Sequence, residues 1–173
     1  MSDPGCVIHI NGDKEWRVNG RLHRLDGPAV ELADGGQFWY LDGKLHREDG
    51  PAILINGHQE WRVNGELHRE DGPAIIWPDG TQEWFINGRR HRDGGPALIM
   101  TNGTEEWCRN GKLHREDGPA MVLSGGGQFW FYDGMPHRDG GPAVEYSDGS
   151  EEYWEHGVKA IKSDHALSSP RIP

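Results

Sequence analysis

Apolar and polar residues alternate along this chain in short runs, each closed by a glycine-bearing turn signal. Ala74–Trp77 (A-I-I-W) and Gln82–Ile86 (Q-E-W-F-I) read as strands, rich in β-branched and aromatic side chains. Between them stands P-D-G, and Asn87-Gly88 closes the second run. Both are turn signals, with glycine supplying the positive φ. No stretch shows a helical 3.6-residue period. The pattern predicts an all-β protein.

The same pattern recurs. His-Arg falls at His23, His46, His68, His91, His114 and His137, in steps of 23, 22, 23, 23 and 23 residues. Trp16, Trp39, Trp61, Trp84, Trp107 and Trp130 keep the beat, and Gly-Pro-Ala closes each copy. A fixed period of this length marks a repeat architecture. We expect an elongated, twisted antiparallel sheet of about six 23-residue β-hairpin repeats, each hairpin followed by a tight connector carrying His-Arg. The repeat domain spans 1–158, with a partial copy at 1–15 and a partial last copy; 159–173 read as a C-terminal cap and tail.

Strand alternation assigns faces. Positions one and three after each Gly-Pro-Ala alanine are apolar, as in Ile53/Ile55, Ile75/Trp77 and Leu98/Met100. With the recurring tryptophans they are expected to form one continuous core face. The position between them is Glu31, Leu54, Ile76, Ile99, Val122 and Glu145, apolar in the middle four copies. A lone meander keeps its second face polar, so that apolar centre calls for a cover. Phe38/Tyr40 and Phe129/Phe131 flank their tryptophans and are expected on the opposite, outward side.

The frame D-G-x-x-E-W-x-x-N-G-K-x-H, recurring over about residues 7–157, resembles the MORN repeat (membrane occupation and recognition nexus). The departure is constant: His is followed by Arg-x-Asp-Gly-Pro-Ala where the family has Gly-x-Gly. In this it is similar to variants of phage and giant-virus proteins. The resemblance implies a single-layer antiparallel sheet used for binding, and it carries no ligand with it.

Composition narrows the partners. The chain has 28 acidic and 18 basic residues, a formal charge of -10, which disfavours non-specific nucleic-acid or anionic-membrane binding. Two cysteines make neither a disulfide framework nor a metal knuckle. No apolar run is long enough to span a bilayer, and a soluble protein of a reducing cytoplasm, the host's if the source is viral, is the expectation. Nothing calls for a cofactor. Equivalent histidines would lie ~10 Å apart, too far to share one ion.

The repeated His46, His68, His91 and His114, with the six tryptophans, read as structural. Each Arg is expected to pair with a connector Asp. A second reading makes the arginines a row for phosphate or carboxylate, since Arg holds both bidentately. Arg47, Arg62, Arg69, Arg92 and Arg115, beside Phe38, Tyr40, Phe85, Phe129 and Phe131, are then the candidate ligand-binding residues, guanidinium on the anion and ring on a base. No nucleophile stands beside a base in a context unlike the other copies, so no enzyme is expected. Two functions follow. One is capture of a small anionic, nucleotide-like ligand, as a viral sponge for a host defence signal would do. The other is a protein–protein scaffold, homo-oligomeric in one form.

Overall fold

The computed structural model describes residues 5–160. Every regular element among them is a β-strand, most of only two residues. The chain divides into two compact units, Met1–Arg89 and Arg90–Pro173, where the repeat pattern alone marks no boundary. The strand Val158–Ala160 still pairs with Glu151–Glu155, so the last hairpin runs two residues past the expected boundary at 158. The tail expected beyond it, from 161, lies outside the described residues. Within each unit the strands of the main sheet pair antiparallel and follow one another in chain order, with short hairpins branching off between them.

The copy from Ala52 to Ala74 shows the build. Ile53–Ile55 pairs with His58–Glu60 across a two-residue turn, Asn56-Gly57, with φ of 48° and 80°. That turn matches the right-handed twist of its strands and needs residues that tolerate positive φ. Trp61 then breaks the strand. Its N–H donates to the Ala74 carbonyl at 2.8 Å, while its own carbonyl accepts from His68 N–H at 3.0 Å. Beyond Trp61 the chain leaves the main sheet and forms a second, two-stranded hairpin, Arg62–Val63 against Glu66–Leu67. The expected single hairpin plus connector is therefore two hairpins set at a tryptophan corner. The sequence hid the second because its strands are only two residues long.

Turn length accounts for the irregular step. Other copies span the first hairpin with three residues, as in Trp77 N–H to Thr81 O and Gly80 N–H to Trp77 O, with Gly80 at φ 92°. Asn56-Gly57 uses two, and the step from His46 to His68 shortens to 22 residues.

The core is thin. The alanines of all six Gly-Pro-Ala motifs are 0% exposed, and among the described residues no larger side chain is fully buried. Register corrects the expected faces. Phe38 lies opposite both Val30 and Ile53, so it shares their face, and Trp39 points to the other side with Ala29 and Ala52. The apolar row one after the alanine is well covered at Ile75, Leu98 and Val144. The row three after it is not: Trp77, Met100, Leu123 and Tyr146 stay 36–41% exposed. A single layer of sheet has no second layer to bury them, and the expected continuous core is a row of alanines and their neighbours instead.

That packing makes the alanine position intolerant. Ala74→Leu adds three carbons where no space remains and should lower the unfolding free energy by about 1–3 kcal/mol in urea titration. Ile76→Leu, at a half-buried site, should cost less.

Candidate functional site

The connectors carry the densest chemistry. After each tryptophan corner the chain turns at Asn-Gly or Asp-Gly, with the first residue at φ near 50°, and reaches His-Arg. The arginine folds back over its own repeat's tryptophan. Arg24, Arg47, Arg69, Arg115 and Arg138 lie 3.8–4.2 Å from the ring centroids of Trp16, Trp39, Trp61, Trp107 and Trp130. On the other side of the guanidinium is the glycine of Gly-Pro-Ala. A Cβ on Gly27, Gly50, Gly72 or Gly118 would come within 2.8–2.9 Å of the arginine Cζ. The guanidinium fills the space a side chain would need.

Two of its nitrogens, Nε and Nη1, are bonded in the same place. Nε of Arg24, Arg47, Arg69 and Arg115 donates to the Asp two residues on at 2.8–2.9 Å. Nη1 donates to the proline carbonyl at 3.0–3.3 Å, in the Arg92 connector too. The connectors reading H-R-D-G-G-P put a left-handed Gly94 or Gly140 where the others have Asp. There Arg138 reaches Glu145 at 2.6 Å. In the first copy Arg24 reaches Glu31 at 3.1 Å as well as Asp26. Glu31 and Glu145, the acidic exceptions in an otherwise apolar row, are thus arginine partners.

The histidines staple neighbouring copies. The backbone N–H of Asp42, Asn64, Asn87, Asn110 and Asp133 donates to Nδ1 of His23, His46, His68, His91 and His114, at 3.1–3.2 Å. The next glycine seals the joint: Gly65 N–H donates to Leu45 O at 2.7 Å, Gly134 N–H to Leu113 O at 2.8 Å.

Among the residues expected to bind a ligand, Arg47, Arg69 and Arg115 sit in these stacks, and Arg62 donates to Glu60 and to Gly65 O. In the stacked arginines Nε and Nη1 are thus engaged within the repeat. Between connectors run grooves. One of about 710 Å³ has Trp39, His46, Arg24 and Arg47 in its walls. Its rim carries the carboxylates of Asp26, Glu48 and Asp49, 83–85% exposed. A second, about 750 Å³, lies between the Arg115 and Arg138 connectors. The aromatics Phe38, Tyr40, Phe85, Phe129 and Phe131 are half-buried, and Phe129 packs edge-on against Tyr146 at 5.9 Å.

Sequence reasoning missed two clusters. His58 leans on Trp77, ring centroids 4.6 Å apart and planes tilted by 44°, and meets Glu60 at 2.8 Å, while Trp77 Nε1 donates to Glu83 at 2.8 Å. Burial alone would raise the Glu60 carboxyl, yet hydrogen bonds from His58 and Arg62 hold it below its usual value. In the other unit Arg90 donates to Glu106 at 2.9 Å beside Cys108. Burial, with Glu106 close by, pushes the Cys108 thiol up to about 11, so it is a poor nucleophile. The signal was available: His58 stands where other copies have Asp, Gly, Thr or Ser, and Arg90 where most have Leu.

Compared with known proteins, the chain matches no family model and no curated sequence.

The stack yields two tests. Gly72→Ala keeps an allowed backbone but displaces the Arg69 guanidinium, and should cost about 1–2 kcal/mol in urea unfolding. Gly125→Ala, whose Cβ would meet nothing within 4 Å, should be near neutral. The second test is pH. Hydrogen bonds from arginine hold Asp26, Asp49, Asp71 and Asp117 below the ordinary carboxylate value of 3.8. A depressed folded value means that their stabilisation is complete above 3.8 and is lost as pH falls through the lower value. Melting temperature should drop below pH 4 in the wild type, and less steeply in Asp71→Asn.

Proposed function

We propose that the chain is a MORN-like, non-catalytic binding scaffold whose main partner is a protein docked on the sheet face opposite the tryptophans. The observation that carries this is the half-exposed apolar row of Met100, Leu123 and Tyr146 in the second unit. Large side chains on a rigid strand frame, left partly wet, lose little freedom on binding and bury area well. The arginines, by contrast, are engaged in holding the repeats.

A second reading, capture of a small anionic nucleotide-like ligand, draws on the groove near 710 Å³, a size that suits such a ligand and has two arginines and Trp39 in its walls. The exposed carboxylates at its rim oppose an anion, which ranks this reading second.

The test is affinity capture with quantitative mass spectrometry from the source cells, wild type beside Met100→Asp/Tyr146→Asp. Both side chains are exposed enough for the fold to tolerate the change. A discrete partner retained by the wild type and lost by the variant, with unchanged melting, is expected. No partner, together with a nucleotide that raises the melting temperature, would overturn the scaffold reading in favour of the second.

A further inference from the structure

We infer that the strand Gly5–Ile8 is an open sheet edge that a second copy of this chain occupies, strand against strand and antiparallel. This goes beyond the docking face above and does not depend on it, since an edge binds through backbone groups and a face through side chains.

Three observations meet there. Gly5–Ile8 pairs on one side only, with Lys14–Val18, and among the described residues no strand takes its other side. Its outer row of N–H and C=O groups is therefore available for pairing. All four of its residues are exposed, and Val7, Ile8 and Ile10 are 49%, 68% and fully accessible.

The edge also lacks the usual guard. Sheets protect open edges with charge, especially lysine, or with proline. Residues 5–10, G-C-V-I-H-I, hold no Asp, Glu, Lys, Arg or Pro. The contrast lies in the strand Val158–Ala160, an edge of its own unit, where Lys159 stands in mid-strand.

Charge decides the occupant. The chain is strongly acidic as a whole, and two acidic copies repel at most approaches. On the strand beside this edge the charges are paired within the chain: Lys14 with Glu31 at 3.2 Å, and Arg17 with Glu15 at 2.8 Å. A twofold pairing of this strand with itself sets apolar residues on apolar residues and brings no unpaired like charges together. Antiparallel self-pairing closes after two copies, because each edge is then used up.

The measurement is sedimentation velocity of the full chain across a wide concentration range, wild type beside Val7→Lys, in reductant. A monomer–dimer equilibrium that Val7→Lys weakens by roughly tenfold or more, with an unchanged melting temperature, is expected. The exposed Cys6 supplies a second readout that needs no edge charge. Depending on register, either native Cys6 or Val7→Cys in a Cys6→Ser background should cross-link to its own copy under mild oxidation. A wild type that stays monomeric, a dimer indifferent to Val7→Lys, or cross-linking by neither cysteine overturns the inference. Loss of the docking partner in the Met100→Asp/Tyr146→Asp chain leaves this equilibrium intact, so the two proposals fail separately.

Discussion

A guanidinium pressed between an indole and a glycine is the contact on which the repeat depends. It explains the motif residue by residue. The tryptophan is the platform and the arginine the filling. The aspartate and the proline carbonyl take its N–H groups, and the glycine must lack a Cβ because Arg69 and its equivalents lie where one would point. The alanine that follows is wholly buried against the corner. A planar, always-charged group with donors in a fixed fork can satisfy all of these at once, whereas the compact ammonium of lysine cannot.

That arrangement compensates for a thin core. A sheet one layer deep cannot bury large side chains on both faces, and among the described residues none is fully buried. Cohesion comes instead from backbone ladders, from the stacks, and from histidine staples such as Asn64 N–H to His46 Nδ1. Each copy contacts mainly its neighbours, as expected of a repeat protein. The same geometry supplies surface: rows that would be core in a two-layer protein remain half-exposed and available to a partner.

Much of this was legible in the chain. The period, the turns and the strands came directly from Asn-Gly and Asp-Gly signals and from alternation, and the pairing of Arg with connector Asp was anticipated. Three things were not. The second hairpin has strands too short to give a periodic signal. The tryptophan's side of the sheet depends on a break at Trp39 and Trp61 that alternation does not reveal. The seating of each arginine on its tryptophan was the third, because cation–π contact with a residue eight positions earlier leaves no local trace. The irregular residues proved the better guide: His58 and Arg90, each out of pattern, mark polar clusters in the sheet, and Glu31 and Glu145 mark arginines that need a second acceptor.

The central claim is that arginine and tryptophan stabilise the fold together and not separately. A double-mutant cycle on Trp61→Leu and Arg69→Met, read by urea unfolding, measures that coupling directly. A guanidinium 4.0 Å from the ring centroid and less than a quarter exposed should give a coupling of about 1–2 kcal/mol. Additive losses, with coupling near zero, would mean that the two residues merely lie close, and that some other contact holds the repeats in register.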